Sequence, residues 1–139
     1  MRFIDANVFV YAFLDSGRPL QVHEVEIKES ARRVVLRLEG GESMATTVVH
    51  LSEVANIFES RMSAVDALEA VSSIMSLKSL TVQGVSGDVY RSALRAAEVL
   101  ELGVNDGLAY VAMMDGGMSE LYSFDRDFDR VGEVKRVSS

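Results

Sequence analysis

Short apolar or β-branched runs alternate with longer stretches of helical periodicity from one end of this chain to the other, and no other feature constrains its fold as much. Arg2-Phe3-Ile4-Asp5 reads as a short buried strand ending at an acidic residue, and Ser43 to Val48 as a second, rich in β-branched Thr46, Thr47 and Val48. Leu80-Thr81-Val82 makes a third strand, Glu120–Phe124 a fourth, and Glu133 to Val137 a final edge strand. Val8, Phe9, Tyr11, Ala12 and Leu14 continue as a first helix that Asn7 can cap. From about Leu20 to Leu38 the pattern is again helical, and Gly40-Gly41 stops it. Two helices are expected at roughly His50–Ser60 and Ser63–Lys78. A longer one runs from Ser86, its cap, to about Leu102, where Gly103 closes it. Asn105 is expected to cap a helix from Asp106 to Asp115, and Asp127–Val131 reads as a turn or short helix.

Strands alternating with helices in this way pair in parallel and need cover on both faces. The expected class is therefore α/β, a three-layer α/β/α arrangement around a mainly parallel sheet of four to five strands. No linker-like Pro, Gly or Ser run interrupts the sequence and no internal repeat is visible, so one domain over residues 1–139 is expected.

Composition narrows the function classes. With 48% hydrophobic residues over 139 positions the chain can bury a real core. It has no Cys, which removes disulfides, thiolate metal sites and a Cys nucleophile. No segment has the apolar length of a bilayer span, and the opening stretch is too short and too acidic for a signal peptide; a cytoplasmic location without a membrane partner is the expectation. The formal charge is −7, the opposite sign from most nucleic-acid binders. A protein that gathers carboxylates to hold cations can nevertheless be acidic overall and engage a polyanion where the metal inverts the local field.

In open α/β sheets, ligands bind beyond the carboxyl ends of the strands. Asp5 and Asp125 fall at the ends of the first and fourth strands, Glu53 in the opening turn of the helix after the second, and Asp106 at the start of the helix after Gly103-Val104. All four are thus expected on one rim. Glu53 and Asp106 each have a bland alternative as complements to a helix dipole, whereas bare carboxylates at the ends of buried strands are harder to excuse. Clustered carboxylates repel one another unless protons or a cation relieve the strain. All-oxygen ligation selects Mg²⁺ or Mn²⁺ over zinc, and His23 and His50 have no ligand-type spacing. Arg126 and Arg130 flank the rim and are candidates for contact with substrate phosphate. Asp127 is expected to cap the turn before Phe128 rather than ligate metal. Tyr11 can stack on a base, although a buried ring is the simpler expectation.

These residues resemble the PIN-domain family, and more narrowly the VapC-like toxins of prokaryotic toxin–antitoxin pairs. Phe3-Ile4-Asp5-Ala6-Asn7-Val8 resembles the family's first motif, Ser52-Glu53-Val54 the second, Val104-Asn105-Asp106-Gly107-Leu108-Ala109 the third, and Ser123-Phe124-Asp125-Arg126-Asp127-Phe128 the fourth. The motifs occur in the family's order over nearly the whole chain. Ala6 stands where the family often has Thr or Ser, and Ser123 replaces the commoner Thr while keeping its hydroxyl. The resemblance implies hydrolytic cleavage of RNA phosphodiester bonds with Mg²⁺ or Mn²⁺. Asp5 and Asp106 would be the principal metal ligands, Glu53 and Asp125 would complete the acidic pocket, and Asn7 and Ser123 would orient ligands from behind. It also implies a small antitoxin protein that blocks the acidic rim, and a homodimer that the apolar residues of the Ser63–Lys78 helix can supply.

Other functions fit the same pattern in part. A different metal-dependent nuclease or phosphohydrolase would use the same rim. A receiver-like signalling domain is also α/β with an acidic pocket, but it calls for an adjacent acidic pair near the first strand and a Lys at a later strand end; here Ile4 precedes Asp5 and the fourth strand ends without Lys. A non-catalytic binding module would use the carboxylates only to stabilise the fold. No glycine-rich phosphate loop of Walker or dinucleotide type is present.

Overall fold

Successive side chains of a strand point to opposite faces of its sheet, so a strand buried on both sides needs two apolar layers. Phe3 and Ile4 of β1 (Arg2–Ile4) are both fully buried, and they belong to different cores. The structure, a computed structural model, describes residues 1–138; Ser139, the last residue of the expected domain, lies outside them.

The elements after β1 are α1 (Ala6–Phe13), α2 (Val22–Glu39), β2 (Met44–Thr47), α3 (Val48–Arg61), α4 (Ala64–Met75), β3 (Leu80–Gln83), α5 (Gly87–Leu100), α6 (Val104–Asp115) and β4 (Glu120–Tyr122). A 3₁₀ turn (Arg126–Arg130) and β5 (Lys135–Val137) follow. The five strands form one sheet in the order β3-β2-β1-β4-β5, and every pairing is parallel. The register sets Phe3 beside Ala45 and Leu121, and Ile4 beside Tyr122. Ile4, Met44, Leu80 and Tyr122 pack with Val8 and Phe9 of α1, Val34 and Leu38 of α2, Val54 and Phe58 of α3 and Ile74 of α4. Phe3, Ala45 and Leu121 pack with Ala109 and Met113 of α6 and Phe128 of the 3₁₀ turn, with Leu100 of α5 against them. The result is the expected three-layer α/β/α class, with a sheet that is wholly parallel.

The chain steps outward from β1 to β2 and β3, then returns to the other side of β1 with β4 and β5. The strand order therefore reverses between β1 and β4, which opens a crevice at their carboxyl ends. Asp5 and Asp125 lie beside that crevice.

Several boundaries differ from the expectation, each for a visible reason. Asp5, not Asn7, caps α1: its Oδ1 accepts the Ala6 amide at 2.8 Å, while the Asn7 side chain is engaged elsewhere. The Thr47 hydroxyl accepts the His50 amide, so α3 begins at Val48 and Glu53 falls in its second turn, not its opening one. Gly103, not Asn105, is the cap of α6, which starts at Val104. α5 ends at Leu100 because Glu101 takes a left-handed conformation (φ 56°). β4 ends at Tyr122, and Ser123 turns the chain towards the crevice by accepting the Asp125 amide on its side-chain oxygen at 3.0 Å. α4 stops at Met75, short of Lys78. No helix among the described residues is long and apolar enough to cross a membrane.

α6 is held unusually close to α5. A Cβ on Gly107 would come within 2.5 Å of the Ala93 carbonyl oxygen and 3.0 Å of Ala97 Cβ. Only a residue without a side chain lets the two helices approach this far, and Gly107 is the neighbour of Asp106.

Candidate functional site

A cavity of about 500 Å³ opens at the carboxyl ends of β1 and β4, and Asp5, Asn7, Glu53, Asp106 and Asp125 all line it. Four elements contribute: the start of α1, the second turn of α3, the first turn of α6 and the start of the 3₁₀ turn. Parallel strands direct their carboxyl ends to one edge, which is why carboxylates far apart in sequence meet here.

Asp5 is 5% exposed and both its oxygens are occupied. Oδ1 accepts the Ala6 amide, and Oδ2 accepts the Ser123 hydroxyl at 2.8 Å. Burial pushes its carboxyl up to about 6, against those two hydrogen bonds, and the nearby Asp125 charge adds to the rise. Asp106 is raised further, to about 8: burial comes first, then the charges of Asp5 and Asp125, a hydrogen bond with Asp125 and the charge of Asp127. Such a carboxyl retains a proton at neutral pH until something positive replaces it.

Oxygens of Asp106, Asp125 and Asp127 all lie within 4.8 Å of one another, a spacing that one cation can span. Asp127 was expected to cap the turn instead. In the structure Asp125 performs that role, its Oδ1 accepting the Asp127 amide at 2.9 Å, which leaves the Asp127 carboxylate beside Asp106. The signal in the sequence was the Asp125-Arg126-Asp127 spacing, but it did not distinguish a cap from a ligand. Asp5 and Glu53 line the cavity together with Asp106 and Asp125 without joining this tight trio. Glu53 has no hydrogen bond or ion pair among the described residues.

Ser123 is fully buried, and its hydroxyl is the hub behind the carboxylates. It donates to Asp5 and accepts from the Asp125 amide and from Asn7 Nδ2 (3.3 Å), so one proton and two lone pairs are all in use. Asn7 Oδ1 in turn accepts the Phe124 amide at 3.4 Å. The two residues thereby tie α1 to the segment after β4.

His50 plays a part that sequence reasoning missed, since it was weighed only as a metal ligand. It is 1% exposed; Nδ1 lies 2.7 Å from Thr47 Oγ1 and Nε2 lies 2.9 Å from the Asn105 carbonyl oxygen. Burial lowers its imidazole to about 4, with the Asn105 carbonyl and the Glu53 charge opposing.

Arg126 and Arg130 do not line the cavity. Arg130 is engaged by the Glu101 carbonyl oxygen at 3.1 Å, the Glu101 carboxylate at 3.9 Å and Asp127 at 3.7 Å. Arg126 is exposed and has no ion pair among the described residues. Tyr11, expected to be buried, is 43% exposed at the cavity mouth.

A family model for the PIN domain matches residues 2–134. Among solved structures, VapC20 of Mycobacterium tuberculosis, described as a sarcin-ricin-loop-cleaving toxin, superposes with a TM-score of 0.72 at 20% sequence identity, over 95% of each chain. A toxin–antitoxin complex from Klebsiella pneumoniae gives 0.66 at 15% identity, covering 97% of this chain and 96% of that one. VapBC2 from Rickettsia felis, bound to a DNA fragment from its promoter, gives 0.67 at 16% identity, covering 98% and 96%. At these identities the likeness is one of fold. No curated protein sequence matches the chain.

Proposed function

The chain belongs to the PIN-domain family, so we propose that it is a metal-dependent endoribonuclease, acting as the toxin of a VapBC-type pair. The observation that carries this reading is the convergence of Asp5, Glu53, Asp106 and Asp125 on one cavity, with Asp127 close enough to Asp106 and Asp125 to share a cation with them. An oxygen-only donor set of this kind fits Mg²⁺ or Mn²⁺. Asp106, Asp125 and Asp127 would hold the ion, and Asp5 and Glu53 line the cavity beside them. When bound, such a cation acidifies a water and offsets charge on the phosphodiester in the transition state.

The chain's own groups do the rest. Ser123 and the Ala6 amide hold Asp5 in one orientation before substrate arrives. Asp106, whose carboxyl burial and the neighbouring carboxylates raise to about 8, would have to lose its proton to serve as a ligand, so cation binding would be coupled to proton release. Glu53, with no partner among the described residues, is available to orient the attacking water.

The toxin role draws support from the neighbours in fold, two of which are toxin–antitoxin assemblies by their descriptions. On this reading an antitoxin covers the acidic mouth, and the protein works in the cytoplasm. Val65, Leu68 and Met75 of α4 are all more than half exposed and offer the apolar contact for a homodimer; sedimentation showing a strict monomer at high concentration would count against that.

The test is to incubate the purified protein with labelled RNA, labelled single-stranded DNA and a phosphomonoester in Mg²⁺, Mn²⁺ or chelator. Cleavage of RNA alone, abolished by chelator and by Asp106→Asn, is expected. Cleavage of DNA or the monoester instead selects the broader nuclease or phosphohydrolase reading. Intact RNA under every condition, or an Asp106→Asn protein as active as the parent, overturns the proposal.

A further inference from the structure

An acidic enzyme acting on a polyanion needs cations where the strand continues beyond the scissile phosphate, because phosphate contacts supply most of the affinity for nucleic acid. None is found at the metal cavity itself, which no Lys or Arg lines among the described residues. A second cavity of about 460 Å³ adjoins it, sharing Val10 and Tyr11. There Arg18, Lys28 and Arg61 face Asp15 and Glu24, an excess of cations in a chain whose formal charge is −7.

Two of those cations are already committed. Arg18 pairs with Glu24 at 3.0 Å, and Lys28 Nζ donates to the Tyr11 carbonyl oxygen at 3.1 Å and lies 3.5 Å from Asp15. Arg61 is different: it is exposed and has no hydrogen bond or ion pair among the described residues. It is the last residue of α3, on the face that also carries Glu53 and Ile57 at four-residue steps. Glu53 and Ile57 line the metal cavity and Arg61 the second one, so α3 connects the two over about 12 Å at its helical rise. Between them stands Tyr11. Its ring meets Phe124 edge to face at 5.6 Å and 86°, so at least one of its faces is left uncovered by that neighbour.

Building on the nuclease reading, we infer that this second cavity is a subsite for single-stranded RNA, in which a flanking base stacks on Tyr11 and the phosphate beyond it pairs with Arg61. Only a substrate extending past the scissile phosphate spans both cavities. Arg61 and Tyr11 are then binding residues that favour polymer over small diester, the kind of stacking-plus-cation arrangement that tracks a single strand without reading its sequence.

The experiment compares an oligoribonucleotide with bis(p-nitrophenyl) phosphate, a diester without flanking nucleotides, for the wild type, Arg61→Gln, Arg61→Lys and Tyr11→Ala. In Arg61→Gln and Tyr11→Ala, kcat/KM for the oligonucleotide relative to the small diester falls about tenfold, mostly through KM, as for one lost stacking or phosphate contact. Arg61→Gln also flattens the slope of log KM against log salt by about 0.7, and Arg61→Lys restores most of it. Equal losses on both substrates, or an unchanged salt slope in Arg61→Gln, overturn the subsite. Failure of the nuclease reading is seen separately, as a wild type that cleaves neither substrate. In that case the anisotropy of a fluorescent oligoribonucleotide on the Asp106→Asn protein, with and without Arg61→Gln, still decides: affinity indifferent to Arg61 overturns the subsite and leaves the groove to a protein partner.

Discussion

The Nε2 of His50 lies 2.9 Å from the carbonyl oxygen of Asn105, the residue immediately before Asp106. A carbonyl can only accept, so Nε2 carries the proton and Nδ1 accepts the Thr47 hydroxyl at 2.7 Å. Because burial holds the imidazole down to about 4, it stays neutral and keeps this tautomer at physiological pH. The end of β2 is thereby fastened to the first turn of α6, which carries Asp106 into the cavity that Asp5 lines.

His50→Leu removes that fastening and leaves the buried Thr47 hydroxyl without its acceptor. The expected cost is about 1–3 kcal/mol of stability. Mn²⁺ affinity should fall about tenfold or more, the usual effect of losing a group that supports a ligand. His50→Gln, which can place an N–H near the Nε2 position, should recover much of the metal affinity. Mn²⁺ titration beside thermal melts checks this; a His50→Leu protein with lowered melting temperature but native Mn²⁺ affinity would reduce His50 to a core residue.

Ser123→Ala strips the buried Asp5 carboxylate of one hydrogen bond and leaves the Asp125 amide and Asn7 side chain without their acceptor. Stability should drop by about 1–3 kcal/mol, and metal affinity by tenfold or more. Denaturant melts and Mn²⁺ titration measure the two effects, and native values in both would contradict the hub role of this hydroxyl.

The metal-free protein should lose stability as pH rises from 6.5 to 8. Asp106 moves from 3.8 in the unfolded chain to about 8 when folded, so in this window the native state holds a proton that the unfolded chain has released. The slope of unfolding free energy with pH is therefore negative. Asp5, raised to about 6, contributes the same sign at lower pH. His50 acts oppositely between about 4 and 6.5, where the unfolded chain is the one holding the proton, so the clean window lies above 6.5. Saturating Mg²⁺ or Mn²⁺ should raise the melting temperature more at pH 8 than at pH 6.5. Melts with chelator that rise across this window would refute the assignment.

Gly107→Ala places a methyl group 2.5 Å from the Ala93 carbonyl oxygen, and neither backbone can yield cheaply. A loss of about 1–3 kcal/mol is expected for such overpacking, with weakened metal binding as α6 moves. Gly132→Ala, where nothing lies within 4 Å of the added carbon, is the control and should melt with the parent. Equal melting of the two variants would show that the α5–α6 contact is looser than described.

Much of this architecture is legible in the chain itself, because it rests on local periodicity. The strand-like runs at Phe3-Ile4 and Leu80-Thr81-Val82, the cap at Ser86 and the glycines after Leu38 each depend on near neighbours. Alternation then requires parallel pairing, and parallel pairing sends Asp5 and Asp125 to one edge along with the helices carrying Glu53 and Asp106. The acidic mouth could be anticipated on those grounds.

What only the folded chain decided is which polar group takes which partner. Asn7, Asp5 and Asp127 were all plausible caps by type. Asp5 took the cap of α1 and Asn7 went to Ser123, 116 positions away, while Asp125 capped the 3₁₀ turn and left Asp127 beside Asp106. His50 acquired its role from a carbonyl 55 positions distant. A hydrogen bond is settled by proximity and by competition among donors and acceptors once burial has removed water, and neither is encoded in residue type or spacing. The carboxylates were therefore predictable as a group, whereas the order in which they are held, and by whom, was a property of the tertiary structure.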